Sequence, residues 1–299
     1  MINQLEEFKK KFKDQIYVKE NLSKYSWFNI GGPAEILFKP DSTKDLISFL
    51  KEYKGNINIL GAGSNTLIRD GGVKDVTIKL SPKFSYYKIL NDNIIEVGAA
   101  TLDKRLSSFA KENLLTGFEF LACIPGSVGG AITMNSGCYG HEISKILLSF
   151  KTIDFGGNIK EILASDINFN YRSISLPKNL IIISAKFKGS VSSRKEIEEK
   201  EKEMINKKKN DQPNQVKTCG STFKNPTKKK AWELIKTSGC NSLRVGNVKM
   251  SDKHCNFFIN EGEATSKEIE DLISKVRDIV FKKTKVNLEL EVKIIGQNK

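Results

Sequence analysis

The sequence predicts an α+β fold in which α/β units follow one another along the chain. Short apolar runs bounded by turn residues are typical of buried strands, and here they alternate with amphipathic helical patterns. Two glycine-dense segments interrupt this alternation in the first half of the chain. A charged stretch at 192–210 carries Glu/Lys pairs at helical i,i+4 spacing, which indicates a solvated helix between two domains.

An amphipathic helix is predicted at the N-terminus, in residues 1–20. Leu5, Phe8 and Phe12 are spaced to share one helix face, and charged residues fill the rest of the segment. The segment lacks the apolar core of a secretory signal, and no apolar run is long enough to span a membrane. We therefore expect a cytoplasmic protein with no membrane insertion.

The first α/β unit is predicted in residues 21–82. Ser42 and Asp45 have capping-box spacing, which predicts that a helix follows. Strands are predicted at 57–60 and 76–80, and a glycine-containing loop follows the first of them.

The second unit is predicted in residues 83–190. A strand at 94–97 precedes a helix at 103–113, and a buried strand at 180–188 ends the unit. The second glycine-dense segment lies between that helix and the last strand.

The connecting helix is assigned to residues 191–210, and the third unit to 211–299. A helix at 229–238 is predicted to end at Gly239 in a left-handed cap. A second helix is predicted to begin at Thr265, because Glu268 completes a capping box. Apolar and polar residues alternate from 286 to 294, which predicts a final strand.

Composition excludes several classes of protein. The chain has 299 residues and a formal net charge of +14, but its lysines are dispersed with few aromatic residues among them. This pattern does not indicate a nucleic-acid groove. The two histidines make a histidine-based metal site improbable on composition, so we expect no metal. The five cysteines show no CxxC pair, which favours free thiols.

The first glycine motif follows the predicted strand at 57–60. Two glycines in so short a segment allow a tight turn whose backbone N–H groups converge, as in a phosphate-binding nest. The segment is not the dinucleotide fingerprint GxGxxG, because Thr66 stands at the third glycine position. An ordinary strand-to-loop turn explains this pattern equally well. The residues of this loop are Gly61, Ala62, Gly63, Ser64 and Asn65.

The second motif has five glycines in residues 126–140. So many glycines oppose order unless a ligand approaches the backbone closely or positive φ is needed repeatedly. A large planar cofactor with a pyrophosphate satisfies both needs, whereas a flexible surface loop is disfavoured by the flanking apolar residues. The candidate binding residues are Ile124, Pro125, Gly126, Ser127, Gly129, Gly130 and Ala131.

A third motif is formed by residues 220–226, in which Ser221 follows a glycine. A hydroxyl beside glycine can lie in an open site, although an ordinary Ser/Asn/Pro turn is the better explanation on local grounds. In the predicted final strand, Glu289 and Glu291 share the polar face. By default we expect the Glu289 side chain to face solvent, but one of the two carboxylates could face a binding site.

Taken together, these motifs resemble one family, the UDP-N-acetylenolpyruvoylglucosamine reductases, over residues 21–296. The resemblance rests on seven segments in the right order, which are individually modest and jointly specific. They are residues 27–32, 61–65, 124–135, 171–172, 220–226, 251–260 and 288–296. The chain is similar to the shorter, second type within the family, because it has no tyrosine-bearing insertion between 188 and 212 or after Pro226.

This resemblance implies two FAD-binding subdomains of the vanillyl-alcohol-oxidase-like (PCMH) type, in residues 21–82 and 83–190, and a C-terminal substrate domain. It implies non-covalent FAD, held by the two glycine-rich segments, and NADPH as the reductant. The implied reaction is reduction of UDP-N-acetylglucosamine enolpyruvate to UDP-N-acetylmuramate. This oxidoreductase step belongs to peptidoglycan synthesis, and hence to cell-wall biogenesis, cell shape and the cell division cycle. We expect a monomer.

The resemblance also assigns catalytic residues. Arg172 matches the family arginine that binds the substrate carboxylate, and its rigid fork suits two oxygens at once. Ser221 matches the family proton donor, with Cys219 and a relayed water as rivals. Glu291 matches the carboxylate that acts with Arg172 to polarise the substrate. The implied substrate-binding residues are Tyr171, Gln212, Lys224 and Asn225.

Three departures from the family pattern leave this trio intact but bear on nearby loops. Ile174 stands where serine is usual, Thr227 to Lys230 replace a glycine-containing turn, and 245–247 replace a double glycine. Two rival functions remain on sequence alone. One is a flavin oxidoreductase with another substrate, and the other is a basic nucleic-acid-binding protein without enzymatic activity.

Overall fold

The computed structural model describes residues 2–91 and 93–299, and it divides the chain into two compact units. The first unit comprises residues 1–17, 37–62 and 76–208, and the second comprises 18–36, 63–75 and 209–299. Met1, at the start of the predicted N-terminal helix, lies outside the described residues. The domain boundaries predicted at 20, 82, 190 and 210 stay predictions.

The described residues form helices whose bounds agree with most of the sequence patterns. The helices are α1 Ile2–Phe12, α2 Thr43–Glu52, α3 Asp103–Glu112, α4 Val128–Thr133, α5 Arg194–Asp211, α6 Ala231–Thr237 and α7 Ser266–Thr284. The predicted caps are present: Ser42 Oγ accepts from the N–H of Asp45, and Thr265 and Glu268 form a complete capping box before α7. Gly239 follows α6 with φ +72°, as its predicted left-handed cap requires.

Most strands are short, and the longest are in the first unit. In chain order they are β1 Ile16–Asn21, β2 Pro33–Phe38, β3 Ile57–Ile59, β4 Thr66–Ile68, β5 Val73–Ile78, β6 Tyr87–Asn91, β7 Ile94–Gly98, β8 Leu115–Thr116, β9 Gly137–Cys138, β10 His141–Glu142, β11 Leu147–Asp154, β12 Ile159–Leu163, β13 Phe169–Asn170, β14 Ser173–Ile174, β15 Leu180–Lys188, β16 Ser190–Val191, β17 Arg244–Val245, β18 Val248–Met250, β19 Phe258–Asn260 and β20 Lys293–Ile295. A four-stranded sheet has the order β1-β2-β5-β3, with β3 parallel to β5.

The first unit is built on a five-stranded antiparallel sheet with the order β12-β11-β15-β7-β6. Its core includes Phe118, Phe120, Phe150 and Phe187, each at most 1% exposed. Since burying a phenylalanine side chain stabilises a fold by roughly 1.5–3 kcal/mol, this cluster is a main source of the unit's stability. Phe120 and Phe118 also anchor the chain just before the second glycine-rich segment.

The second unit packs α6 and α7 against small sheets. β17, β18 and β19 form an antiparallel sheet, and β20 pairs in parallel with β4. The core includes Phe223, Phe258, Leu272 and Val276, all fully buried. The buried face of α7 follows the predicted helical spacing, so this amphipathic pattern holds the unit together.

The continuous strand predicted at 286–294 is wrong. Only Lys293–Ile295 forms a strand, whereas residues before it make single contacts, such as the bridge between Leu290 and Phe223. Alternation correctly identified a buried face, since Leu288 and Val292 are buried. The neighbouring segment, 220–226, is irregular and makes only isolated bridges, at Ser221 and Phe223, so no regular ladder forms.

Candidate active site

The two predicted binding loops meet at the hydroxyl of Ser127 in the first unit. A methyl group placed on Gly61 would lie 3.2 Å from Ser127 Oγ, and one placed on Gly130 would lie 3.7 Å from it. Lys79 Nζ donates a hydrogen bond to the carbonyl oxygen of Gly61. Burial, assisted by the charge of Lys39, lowers the pKa of Lys79 to about 8. Two glycines therefore border one hydroxyl, and a cation lies against the carbonyl of one of them.

The second glycine-rich segment is anchored rather than flexible. Val128 and Gly129 donate their N–H groups to the carbonyls of Thr101 and Ala99, at 2.9 and 3.0 Å. Those two amides are thus used inside the protein and are not free for a phosphate. A methyl group on Gly129 would lie 3.2 Å from Ala99 Cβ, so close packing is one reason for a glycine there.

Arg172 lies in the two-residue turn between β13 and β14, and its position is held by the glycine-rich segment. Its Nη2 donates to the carbonyl oxygen of Gly137 at 2.8 Å, and its guanidinium carbon lies 5.0 Å from the centre of the Tyr171 ring. Arg172 has φ +58°, a conformation that costs a non-glycine residue roughly 1–2 kcal/mol. Strained residues of this kind are concentrated at functional sites.

Asn135 supports the same turn from a buried position. It is 1% exposed, donates from Nδ2 to the carbonyl of Asn170 at 3.3 Å, and accepts at Oδ1 from the N–H of Ser144 at 3.1 Å. Asn135 lies in one of the family segments, but the sequence alone does not predict that it positions Arg172. A hydrogen bond to a distant backbone carbonyl leaves no local pattern to detect.

Ser221 lies in the second unit, in a segment that contacts two others. It forms a bridge with Phe257, and the N–H of Thr222 donates to the carbonyl of Asn256 at 2.8 Å. Gly220 has φ +78° and nothing within 4 Å of an added methyl group, so the chain beside Ser221 borders open space. Ser221 itself is half-buried.

Glu291 is joined by its backbone to the Ser221 segment and to the first loop. Its N–H donates to the carbonyl of Thr222 at 2.9 Å, and its own carbonyl accepts from Asn65 Nδ2 at 3.0 Å. The second unit therefore brings together three segments that are distant in sequence, namely those of Asn65, Ser221 and Glu291. Gly63 of the same loop has φ +69°, and a methyl group there would overlap the carbonyl oxygen of Tyr25.

Cys219, the rival proton donor, is turned into the protein. It is 3% exposed, and its Sγ donates to the carbonyl oxygen of Thr66 at 3.3 Å. Burial raises the pKa of its thiol to about 12. Its burial and its inward direction argue against Cys219 as the proton donor.

The remaining predicted substrate residues occupy varied settings. Lys224 forms an ion pair with Glu289, with 3.5 Å between Nζ and Oε2. The Glu289 side chain is 79% exposed, in line with the default expectation that it faces solvent. Asn225 Oδ1 accepts from the N–H of Ala231 at the start of α6, so this side chain already has a capping role. Gln212 follows α5 and is half-buried.

Arg172 belongs to the first unit, while Ser221 and Glu291 belong to the second.

Within the described ranges no three His, Cys, Asp or Glu side chains are grouped to hold a metal ion. All five cysteines are free thiols, as predicted. Across 2–91 and 93–299, none of the helices has both the length and the apolar character that a membrane span needs.

Known proteins similar to this chain identify its family. Residues 34–162 match the family profile described as FAD binding domain, and residues 212–295 match the profile described as UDP-N-acetylenolpyruvoylglucosamine reductase, C-terminal domain. The chain is 46% identical to the UDP-N-acetylenolpyruvoylglucosamine reductase of Pelagibacter ubique, covering 98% of this chain and 99% of that protein. It is 45% identical to the enzyme of the same name from Rickettsia massiliae, covering 93% of this chain and 95% of that protein.

A solved structure extends the similarity to three dimensions. The crystal structure of the reductase from Thermus caldophilus superposes with a TM-score of 0.83 at 31% identity, covering 94% of this chain and 98% of that chain. These matches confirm the predicted fold class, an FAD-binding domain followed by the C-terminal domain of the family. They also confirm the predicted FAD oxidoreductase. The chain belongs to the UDP-N-acetylenolpyruvoylglucosamine reductase family.

Proposed function

We propose that the chain reduces UDP-N-acetylglucosamine enolpyruvate to UDP-N-acetylmuramate, with NADPH as the reductant and non-covalent FAD as the cofactor. The observation that carries this proposal is the joining of the Ser221 and Glu291 segments through the Thr222 carbonyl, next to Asn65. Each of these segments belongs to a motif on which the family resemblance rests. Their assembly around one backbone supports a shared role.

FAD fits the first unit on steric grounds. Gly61 and Gly130 leave room beside Ser127, where larger side chains would crowd the hydroxyl, and Lys79 adds a cation near the first loop. These residues would hold the cofactor through its pyrophosphate. When bound, FAD would supply the two-electron chemistry that links NADPH to the double bond of the substrate.

Arg172 binds the carboxylate of the enolpyruvyl group. Its guanidinium is fixed by Gly137 on one side and by the Tyr171 ring on the other, so little side-chain freedom is lost when substrate binds. Negative charge grows on this carboxylate as the double bond is reduced. A fixed cation stabilises that charge without reorganisation of the site.

Ser221 delivers the proton to the carbon next to the carboxylate. A serine hydroxyl is a weak acid, so it needs a neighbour that stabilises its alkoxide or returns the proton. Glu291 is the residue assigned to orient the site and to polarise the substrate carboxyl together with Arg172. The inward-facing thiol of Cys219 weakens the alternative in which cysteine delivers the proton.

In this proposal the sugar nucleotide is contacted by four further residues, Tyr171, Gln212, Lys224 and Asn225. Asn225 also caps α6 by accepting a hydrogen bond from the N–H of Ala231. The enzyme works as a monomer in the cytoplasm and binds neither nucleic acid nor membrane.

The experiment uses the flavin as its own indicator, without oxygen. NADPH should bleach the yellow protein, and the enolpyruvyl sugar nucleotide should then restore the colour. Bleaching without recolouring by this substrate would contradict the proposed substrate and favour another flavin oxidoreductase. A colourless protein that binds DNA or RNA with a steep salt dependence would contradict both flavin functions.

A further inference from the structure

Two cysteines lie against one turn of the first unit, beside the second glycine-rich segment. Cys138 ends β9, and its Sγ donates to the carbonyl oxygen of Phe120 at 3.5 Å. Phe120 and Cys123 belong to the same 3₁₀ turn, Glu119–Cys123. Because residues three apart eclipse one another in a 3₁₀ helix, Cys123 stands above the residue that accepts the Cys138 thiol.

The two thiols are near enough for each to shift the pKa of the other. Lys208 adds a cation on the same side, since its Nζ donates to the carbonyl oxygen of Cys123 at 2.7 Å. We propose that Cys123 and Cys138 are a site of reversible oxidation by hydroperoxides, which closes a disulfide and displaces Arg172.

Cys123 differs from the other thiols in the direction of its pKa shift. The neighbouring Cys138 and the charge of Lys208 lower the pKa of Cys123, against the effects of burial and of Glu201. Burial raises the pKa of Cys219, Cys240 and Cys255. Since the thiolate is the reactive form, Cys123 is the thiol that reacts first.

Cys138 is the resolving residue. The neighbouring Cys123 and burial raise its pKa, so it keeps its proton in the reduced protein. It attacks only after the Cys123 sulfur has become electrophilic. Cys138 is half-buried, and Cys123 is 6% exposed, so a molecule as small as hydrogen peroxide suits the site better than a large disulfide.

The chemistry balances in two steps. The Cys123 thiolate attacks one peroxide oxygen, the O–O bond breaks, and hydroxide leaves behind a sulfenic acid. The Cys138 sulfur then attacks the Cys123 sulfur, the S–O bond breaks, and water leaves with the remaining proton. In total, two thiols and one hydrogen peroxide give one disulfide and two waters, with two electrons passing from sulfur to oxygen.

Closure of this disulfide reaches Arg172 through one residue. A disulfide holds its two sulfurs at ~2.05 Å, closer than two unbonded thiols, so we expect closure to pull on the Cys138 segment. Gly137 precedes Cys138, and its carbonyl oxygen holds Arg172 Nη2. A displacement near 1 Å in a catalytic site costs on the order of 100-fold in rate, so oxidised enzyme should turn over far more slowly. This consequence rests on the proposed role of Arg172.

The test compares FAD-loaded protein before and after hydrogen peroxide. Thiols are then alkylated with N-ethylmaleimide under denaturing conditions and counted by intact mass. Oxidised wild type should take up two fewer maleimides than the reduced protein, and a peptide map should join Cys123 to Cys138. Dithiothreitol should restore both the full count and turnover.

Matched variants make the result specific. Cys123→Ser and Cys138→Ser should abolish the peroxide-induced disulfide, whereas Cys255→Ser, at a comparably buried thiol, should retain it. An unchanged maleimide count in wild type, or a disulfide that leaves turnover unchanged, would overturn the proposal. Reduced enzyme without activity on the enolpyruvyl substrate would instead contradict the proposed function, and the maleimide count would still report on the thiols.

Discussion

Asn256 holds the backbone of Phe223 at both of its polar groups. Its Oδ1 accepts from the Phe223 N–H at 3.0 Å, and its Nδ2 donates to the Phe223 carbonyl at 2.8 Å. The carbonyl of Asn256 also accepts from Thr222, and the side chain is 3% exposed. A single buried amide thus fixes the two residues that follow Ser221.

Replacing this amide should loosen the Ser221 segment. We expect Asn256→Ala to lower the free energy of unfolding by about 1–3 kcal/mol, because it leaves buried backbone groups unpaired. Substrate reduction should fall as well, while NADPH should still bleach the flavin. Urea unfolding and single-turnover absorbance measure the two effects. Asn241→Ala, at an exposed position, is the control, and wild-type stability in Asn256→Ala would contradict the expectation.

Arg172 should not tolerate the change to lysine. Lysine keeps the charge but lacks the planar fork and the stacking on Tyr171. We expect Arg172→Lys to reduce kcat/KM for the enolpyruvyl substrate on the order of 100- to 1,000-fold, with flavin reduction by NADPH unaffected. Arg194→Lys on the exposed face of α5 is the control. Equal activity of Arg172→Lys and wild type would show that the guanidinium does not bind the carboxylate.

Ser221→Ala isolates the proton transfer. Flavin bleaching by NADPH should keep its normal rate, because this step does not need the hydroxyl. Recolouring by the enolpyruvyl substrate should slow on the order of 100- to 1,000-fold, the scale set by removal of one well-placed catalytic group. Rapid-mixing absorbance follows both steps, and Ser274→Ala in α7 is the control. Recolouring at the wild-type rate would assign the proton to another donor.

Short sequence patterns correctly predicted those elements of the fold that are stabilised by interactions between residues close in sequence. The capping box at Thr265 and Glu268 is such a case, since both partners lie within one helical turn. The charged helix expected at 191–210 is present as Arg194–Asp211 for the same reason.

Pairing between distant segments was less accessible to sequence reasoning. The alternation at 286–294 predicted a strand, but whether a ladder forms depends on the partner segment around Phe223. The residues that hold the candidate site, Asn135, Gly137 and Asn256, were missed as positioning groups. Their hydrogen bonds use backbone carbonyls or N–H groups and join residues tens of positions apart. Because any residue can supply such a backbone group, the sequence gives no sign of these hydrogen bonds.

Lys79 should make FAD affinity depend on pH. Burial and the nearby charge of Lys39 lower the pKa of Lys79 to about 8, so the free protein begins to lose this proton near that pH. A pyrophosphate beside Gly61 favours the protonated form, so cofactor binding should take up a proton and weaken as pH rises above about 8.

Fluorescence of released FAD measures this dependence across the pH range. We expect Lys79→Met to bind FAD more weakly at neutral pH and to show a flatter pH profile than wild type. Lys83→Met, at an exposed position nearby in sequence, should keep the wild-type profile. A wild-type profile in Lys79→Met would place the pyrophosphate away from this cation.

Asp103 should destabilise the protein at neutral pH. It is the first residue of α3 and fully buried, and neither carboxylate oxygen has a hydrogen-bond partner among residues 2–91 and 93–299. Burial raises the pKa of Asp103 well above its ordinary value. The folded protein then retains a proton that the unfolded chain releases above about pH 4, so the stability linked to this group is lost as pH rises.

Asp103→Asn removes the ionisable group with little change in shape. We expect the variant to be more stable than wild type at pH 7 by at least about 1 kcal/mol, and the difference to shrink towards about pH 5. Urea unfolding at both pH values measures it, with Asp252→Asn, whose side chain is 87% exposed in wild type, as the control. A stability difference that stays constant with pH would mean that Asp103 is not protonated in the folded protein, and that a donor reaches its carboxylate.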